Sequence, residues 1–488
     1  MLPEDAESCE DAERRRERQR HELLRLVHLD APSPGAAAPE ATAHQSSSAY
    51  RLALTPHKGR DGPAVAGLRP MLRSPAVISS SQAHGPYQLT EEQRLLRDAV
   101  RELADERVAP RAADIDRSGE FPEDLRRLLA SQDILALPFP EEHGGLGGEL
   151  LSVCLAVEQL SRACATTGLI LAAHELGALP LLLAGTPEQQ ARWFPRLASG
   201  EWLIAFALTE AEAGSDAAAA RTRAVRDGDH YVINGSKRFI THGSVADLVT
   251  VFAVTDPDAP RHGRLSCFVV EVPTDGFSVP RIEHKMGIRG SPTAELAFDN
   301  VRVAVANRVG DEGEGFGIAM RTFERSRPGI AAQAVGIAQG ALEVASRYAA
   351  ERRQFGQRIG DFQMVAAMLA DMDASTESAR QLLYKACVEI DAGAPDAGRW
   401  SAMCKLVAGD AAMRVTTDAV QVLGGYGYID DFPVERMMRD AKITQIYEGT
   451  QQIQRLVIAR ALLGKDRARL GQDRAPPGQD RARLGQDG

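Results

Sequence analysis

The segment Ile446-Tyr447-Glu448-Gly449-Thr450 places one carboxylate immediately before a predicted helix. A glycine-rich stretch, residues 421–427, precedes it. An acidic residue near a helix N-terminus favours the helix dipole, so an arbitrary glutamate here would need no further role. A second unusual segment, residues 208–216 with the sequence LTEAEAGSD, lies far upstream. Its small residues form a loop in which backbone donors can approach an anion, although Ala-Gly-Ser-Asp alone would predict only a turn.

Around these two segments the sequence predicts three blocks in the order helix, sheet, helix. Residues 89–202 are predicted to form a helical domain. Thr90 with Gln93 and Thr186 with Gln189 match capping boxes, which mark the N-termini of helices. Residues 203–306 are predicted to form a β-domain. Within it, Asn234-Gly235 predicts a hairpin turn between two strands that contain residues 231–233 and 239–241. Residues 307–464 return to the helical period, with long alanine-rich segments.

The two ends of the chain differ from these blocks. Residues 1–88 contain clustered prolines and serines without apolar periodicity, which predicts a disordered extension. A mitochondrial transit peptide is the alternative, but the early acidic residues disfavour it. In residues 465–488 the sequence DRARLGQD occurs twice, and two copies are too few for a solenoid, so a flexible tail is expected.

Composition excludes several classes of function. The 488 residues are 44% hydrophobic with a formal net charge of −10 and no long basic run, which argues against a nucleic-acid partner. Six scattered cysteines lack metal-ligand spacing, which argues against a zinc site or a disulfide framework. The most apolar stretches, such as residues 176–185, are too short to span a bilayer. We expect a cytoplasmic protein with no metal and no membrane span, the mitochondrial matrix being the less favoured alternative.

The block order also excludes a doubly wound nucleotide fold, which would alternate strands with helices and usually carry GxGxxG or GxxxxGK[ST]. Neither pattern occurs in the sequence. With its two motifs, the chain instead resembles the acyl-CoA dehydrogenase family over roughly residues 89–464. The resemblance implies a mostly helical α+β fold with an N-terminal helical domain, a central β-domain and a C-terminal four-helix bundle. It also implies FAD-dependent chemistry.

The resemblance assigns the catalytic base to Glu448. Some family members place the base on an earlier helix, in the segment that here reads Phe323-Glu324-Arg325-Ser326-Arg327-Pro328. The matching position is Ser326, which cannot act as that base, and Glu324 is expected to be a solvated or structural charge. The resemblance therefore implies that Glu448 removes the substrate α-proton while the β-hydrogen leaves as hydride to the flavin.

The remaining site residues are also implied by the resemblance. Those expected at the flavin ring and its phosphate are Phe206, Leu208, Thr209, Ser215, Phe239 and Thr241. Those expected at the adenine dinucleotide half, partly of a neighbouring subunit's FAD, are Arg352, Phe355, Gln421, Gly424, Gly425, Thr450 and Gln452. Those expected at the acyl-CoA substrate are Ser215, Arg327 and Gly449. A flavin shared across an interface requires at least a dimer, and a homotetramer is the family pattern.

Two departures from the family pattern bear on function. Ala211 stands where the family commonly has proline, a small change in loop stiffness. Residues 167–180, which resemble the stretch closing the acyl pocket, are about two residues shorter than in medium-chain relatives. His174 and Glu175 lie there and could bind a polar acyl end, but solvation at a helix end is the expected role.

The predicted function is dehydrogenation of an acyl-CoA thioester to a trans-2-enoyl-CoA, with electrons passed to an electron-transfer flavoprotein. A flavin oxidase or monooxygenase of the same fold is one alternative, which the presence of Glu448 disfavours. A catalytically idle flavoprotein that acts as an assembly partner is another. The sequence leaves chain length, pathway and the role of the two ends open.

Overall fold

The computed structural model of the protein describes residues 88–464. The predicted disordered extension (apart from Gln88) and the predicted repeat tail lie outside the described residues.

The N-terminal part of the described chain is helical, as predicted. Its α-helices are α1 (Glu91–Leu103), α2 (Ala112–Ser118), α3 (Glu123–Ser131), α4 (Leu150–Ala163), α5 (Ala165–Ala184) and α6 (Pro187–Ala198). Both capping boxes are present: the Thr90 hydroxyl accepts from the Gln93 backbone N–H, and the Thr186 hydroxyl accepts from that of Gln189. Each cap satisfies donors that the first helical turn leaves unpaired.

Helix α5 is longer than the apolar run that the sequence suggested. It continues through Pro180 and reaches 20 residues, so by length and apolar composition it meets the criterion for a bilayer span. However, 78% of its apolar window is buried inside the fold. Within residues 88–464, this is the one helix of that kind. A helix buried to this extent is packed in the protein core.

The middle of the chain forms one eight-stranded sheet. Its strands are β1 (Ile204–Ala207), β2 (Arg223–Asp227), β3 (His230–Thr241), β4 (Leu248–Val254), β5 (Leu265–Glu271), β6 (Phe277–Ile282), β7 (Thr293–Ala304) and β8 (Arg308–Val309). The strand order is β6-β7-β3-β2-β4-β5-β8, and β1 pairs with β4 in parallel. Strand β8 pairs with β5 and follows residue 306, where the sequence placed the end of this block.

The predicted hairpin at Asn234-Gly235 is wrong. Residues 230–241 form the single strand β3, and its register against β7 shifts between Ile233 and Gly235, which marks a bulge. The hairpin turn lies earlier, between β2 and β3 at Gly228, whose φ is +63°. The Asn234 side chain accepts a hydrogen bond from the Asn300 backbone N–H at 2.8 Å across the neighbouring strand. Asn-Gly therefore lies at a bulge here, a place where glycine is common within strands.

The C-terminal part returns to long helices. They are α7 (Gly315–Glu351), α8 (Gln363–Asp391), α9 (Ala397–Leu423), α10 (Val434–Ala441) and α11 (Gln451–Leu462), with a short β9–β10 pair (Arg353–Gln354 and Gln357–Arg358) after α7. One buried apolar cluster joins α4, α7, α8 and α9 through residues such as Leu155, Ala334, Leu383 and Ala412. Helix α7 therefore packs against both helical parts, and its N-terminal half lies beside the sheet through Ile318 and Ala319.

Candidate functional site

The loop that carries Glu448 is held in a strained backbone conformation. Glu448 has φ +52°, unusual for a residue with a side chain, and Gly449 follows with φ +93°. This φ favours glycine at position 449, where an added Cβ would also lie 2.7 Å from Gln454 Nε2. Thr450 then caps α11, its hydroxyl accepting from the Ile453 N–H at 3.3 Å. Strain of this kind persists where surrounding contacts fix it, and it clusters at functional sites.

The Glu448 side chain meets helix α7 across the fold. Ser326 Oγ donates a hydrogen bond to Glu448 Oε2, and Arg327 Nε donates to the Glu448 carbonyl oxygen at 3.3 Å. The two positions from which a base can act in the resembling family therefore touch each other, although they are 122 residues apart in sequence. Arg327, the predicted substrate contact, is 6% exposed and engages the Glu448 backbone.

The electrostatics of this site favour a base that is active near neutral pH. Burial raises the pKa of Glu448 to about 7, although the Ser326 hydrogen bond and the nearby Arg327 and Lys405 charges act in the opposite direction. A general base works best when its pKa lies near the working pH, because enough of it is ionised and it is still a strong proton acceptor.

Lys405 is a residue that the sequence analysis missed. It lies on α9, fully buried, and its Nζ donates to the Gly449 carbonyl oxygen at 2.7 Å and to Gln451 Oε1 at 3.2 Å. Burial lowers its pKa to about 7, against the raising effect of Glu448. The sequence contained a hint: Ser401, Ala408 and Ala412 share a helical stripe with this lysine and are all buried.

The upstream motif is anchored by a buried ion pair. Lys237 Nζ donates to Glu210 Oε1 at 2.8 Å and to the Leu208 carbonyl oxygen at 3.0 Å. Glu210 also accepts from the Thr222 N–H, which ties the motif to the segment just before β2. The Arg238 N–H donates to the Thr209 carbonyl oxygen at 2.8 Å, which aligns the motif with the end of β3. The structure thus brings together two of the predicted flavin-binding segments.

An aromatic wall connects this motif to the Glu448 site. The Phe206 ring lies 5.0 Å from Phe252 and 5.6 Å from Phe323 by ring centroids. Phe323 precedes Ser326 by one helical turn on α7, and the Arg327 guanidinium lies 5.7 Å from the Phe323 ring. The predicted flavin-ring wall and the predicted base therefore border one region of the fold.

Phe239 and Thr241 lie at the edge of this region. Phe239 has φ +59° and is 56% exposed, and Arg238 lies over its ring at 5.3 Å. An exposed aromatic ring on a strained backbone suits a planar ligand that would cover it. Beside it, the buried Nε2 of His242 has no hydrogen-bond partner among residues 88–464. These features fit a flavin ring.

The other predicted dinucleotide contacts lie elsewhere. Arg352 and the glycines 424 and 425 line a groove of about 530 Å³, in which the Arg352 guanidinium lies 5.4 Å from the Tyr426 ring. Phe355 is 94% exposed. Gln421, Gln452 and Ser215 are also exposed, and Thr450 is half-buried. An open groove with exposed aromatic rings fits a ligand held against a second molecule.

The expected solvation of His174 and Glu175 is wrong. Both are buried in α5 rather than solvated at a helix end, with exposures of 1% and 4%. His174 bonds the Leu197 carbonyl oxygen through Nε2 at 3.0 Å, and burial lowers its pKa to about 4. Glu175 points to α7, where its Oε2 would lie 3.7 Å from a Cβ at Gly329. The two side chains therefore belong to different environments.

Comparison with known proteins agrees with this arrangement. The acyl-CoA dehydrogenase N-terminal, middle and C-terminal domains match residues 90–201, 205–301 and 313–463. The short-chain specific acyl-CoA dehydrogenase of Clostridium acetobutylicum is 50% identical, with 76% of this chain and 98% of that protein covered.

Two solved structures have the same fold. Butyryl-CoA dehydrogenase from Megasphaera elsdenii is 43% identical with a TM-score of 0.75, covering 77% of this chain and 99% of that one. A chain in a structure of the electron transferring flavoprotein of Acidaminococcus fermentans is 46% identical with a TM-score of 0.76, at the same coverage. With all three domains matched in order, this chain belongs to the acyl-CoA dehydrogenase family.

Proposed function

We propose that the protein is an FAD-dependent dehydrogenase that converts an acyl-CoA thioester to its trans-2-enoyl-CoA, with Glu448 as the catalytic base. The observation that carries this proposal is the Glu448 carboxyl: its pKa is raised to about 7, it accepts from Ser326, and its backbone is strained.

Side chains of the protein carry out the proton transfer. An α-proton of a thioester is weakly acidic, so the base must be strong and close. Burial of Glu448 strengthens the base, and the Arg327 and Gln454 hydrogen bonds to its carbonyl fix its position. The Glu448 carboxylate takes the α-proton as the carbon–carbon double bond forms. Bound FAD would supply the acceptor for the β-hydrogen, which would leave as hydride.

The cofactor, the partners and the assembly belong to the same proposal. Phe206, Leu208, Thr209, Phe239 and Thr241 would hold the flavin ring, since the hydrogen bond from the Arg238 N–H to the Thr209 carbonyl oxygen joins their two segments. The Arg352 groove would hold the adenine dinucleotide half of a neighbouring subunit's FAD, in a homotetramer. The remaining cofactor and substrate contacts are those named from the sequence: Ser215, Arg327, Phe355, Gln421, Gly424, Gly425, Gly449, Thr450 and Gln452.

The electron acceptor is proposed to be an electron-transfer flavoprotein, and the location the cytoplasm, by analogy with the bacterial relatives. A short or medium acyl chain is the expected substrate class, in fatty acid metabolism. Oxygen uptake during turnover tests the oxidase alternative.

The test of the mechanism is the variant Glu448→Gln, which keeps the volume of the side chain and removes the base. It should bind FAD and butyryl-CoA like the parent, while single-turnover flavin bleaching slows by at least about a thousandfold, within the range for loss of a general base. Adding Ser326→Glu should restore part of the rate, because Ser326 touches the Glu448 carboxyl. Bleaching of Glu448→Gln at the parent's rate would eliminate Glu448 as base.

A further inference from the structure

Asp410 on α9 is a carboxylate that takes no part in the proposed proton transfer. Its Oδ1 accepts from Gln445 Nε2 at 2.7 Å and from Gln451 Nε2 at 2.9 Å, and its Oδ2 accepts from the Arg455 guanidinium at 3.1 Å. Gln445 precedes the Glu448-Gly449 turn, and Gln451 and Arg455 follow it. One side chain of α9 therefore holds the chain on both sides of the proposed base.

Lys405, five positions earlier on α9, holds the same glutamine from its other end. Its Nζ donates to Gln451 Oε1 at 3.2 Å, while Gln451 Nε2 donates to Asp410. Gln451 is 4% exposed, and its Nε2 also donates to the Leu406 carbonyl oxygen at 2.7 Å. Because both ends of this buried amide are paired, any displacement of Gln451 would leave polar atoms without partners, which is costly. The start of α11 is therefore fixed to α9.

Gly409 allows the loop of the base to lie directly on α9. A Cβ at this position would come within 3.1 Å of Gln451 Nε2 and within 3.1 Å of the Thr444 carbonyl oxygen. Thr444 and Gln451 lie on either side of Glu448, so the loop meets the helix at both of its ends. Glycine in the interior of a helix is destabilising relative to alanine, and this close approach accounts for its presence.

The turn between these contacts needs such support. Glu448 has φ +52°, a conformation that a residue with a side chain keeps only when its surroundings impose it. The direction of the Glu448 carboxyl, and with it the contact to Ser326, depends on this backbone. A reacting group that is misplaced by about 1 Å can lose about a hundredfold in rate. Contacts that fix the two ends of the turn therefore bear on the reaction itself.

We propose that Asp410 is a positioning residue for the dehydrogenation: it fixes both ends of the 445–451 segment, and through them the direction of the Glu448 carboxyl. This rests on the proposed function, since it takes Glu448 as the base. Asp410 acts from outside the site, because its side chain is 43% exposed and its hydrogen bonds go to residues that flank Glu448. Its loss should misplace the base without removing it.

The test compares Asp410→Ala with Asp410→Asn and Asp396→Ala. Alanine removes all three contacts, whereas asparagine keeps an Oδ1 that can accept from Gln445 and Gln451. Asp396 at the start of α9 is the matched control, since its side chain is also 43% exposed and is also paired with an arginine, Arg399, at 2.9 Å. Each protein is loaded with FAD, and the single-turnover rate of flavin bleaching by butyryl-CoA is measured from pH 6 to pH 10.

Asp410→Ala should slow bleaching about 10- to 100-fold at every pH, including the alkaline end, because a misplaced base stays misplaced when it is fully ionised. Asp410→Asn should stay within about threefold of the parent, since it keeps two of the three contacts. Asp396→Ala should match the parent. Adding Asp410→Ala to Glu448→Gln should cause no further loss, because two changes that act through one group are not additive.

Hydrogen exchange provides a measurement that does not depend on turnover. In Asp410→Ala the backbone amides of residues 446–453 should exchange faster than in the parent, while those of α7 should not, because only the anchors of the loop are lost. Asp410→Asn and Asp396→Ala should exchange like the parent. A variant that merely lowers the stability of the whole fold would speed exchange in α7 as well.

The outcomes separate this inference from the proposed function. Parent-like bleaching in Asp410→Ala overturns the positioning role, and so does slowed bleaching that recovers at alkaline pH or occurs with unchanged exchange of residues 446–453. A parent flavin that acyl-CoA esters do not bleach overturns the proposed function instead. If Asp410→Ala does not fold, Gln445→Ala replaces it, since it removes the contact on one side of the turn and leaves α9 unchanged; parent-like bleaching in that variant overturns the inference.

Discussion

Replacement of Ser326 by alanine should move the pH dependence of flavin reduction upward. The Ser326 hydroxyl donates to the Glu448 carboxylate, and this hydrogen bond is the largest influence that lowers the pKa of Glu448 against burial. The bond stabilises the ionised form, so its removal raises the pKa. Since the base must be ionised to accept a proton, the rate rises with pH through the pKa, and a higher pKa means a slower reaction at neutral pH.

The size of the effect follows from the bond that is lost. A hydrogen bond to a charged group contributes about 1.5–3 kcal/mol, and one pKa unit corresponds to about 1.4 kcal/mol. The pKa of Glu448, about 7 in the parent, should therefore rise by about one to two units in Ser326→Ala. At pH 7 the ionised fraction falls from about one half to between about one tenth and one hundredth, so bleaching slows about 5- to 50-fold.

The assay is the single-turnover rate of flavin bleaching by butyryl-CoA, measured from pH 6 to pH 10. Ser326→Ala should approach the parent's rate at the alkaline end, because its base is then fully ionised. Ser326→Thr is the matched control, since it keeps the hydroxyl and should keep the parent's midpoint. If Ser326→Ala has the same midpoint as the parent and is slowed equally at every pH, the hydroxyl does not act through the pKa of Glu448.

Three further variants extend these tests. Lys405→Met should raise the pH midpoint of bleaching by less than Ser326→Ala does. Lys405 lowers the pKa of Glu448 less than Ser326 does, and it is itself only partly charged near pH 7. A lowered midpoint in the same assay would contradict this expectation. Arg352→Ala should lose FAD on gel filtration with little change in melting temperature, and full flavin retention would reject the assigned groove. Removing residues 1–88 and 466–488 should leave oligomeric state, flavin content and turnover unchanged, since the family domains match residues 90–463. Loss of FAD from the truncated protein would refute this expectation.

Local features of the fold were predictable because they depend on residues close together in sequence. The capping boxes at Thr90 and Thr186 each involve residues three positions apart, and both are present. The order of helical and sheet blocks follows from apolar periodicity, which is also local. The prediction at Asn234-Gly235 failed although it was local, because the pairing of β3 with β7 overrode the turn preference.

The sequence by itself determined the family, the order of the domains and the identity of the candidate base, because these reside in short motifs and in periodicity. Only the tertiary structure decided what surrounds that base. Contacts of Glu448 with Ser326, of Lys405 with Gly449, and of Glu175 with the Gly329 face join residues tens to more than a hundred positions apart. A carboxyl's pKa depends on the water and charges around it, and packing of distant segments sets both, so the raised pKa values of Glu448 and Glu175 arise only in the folded chain.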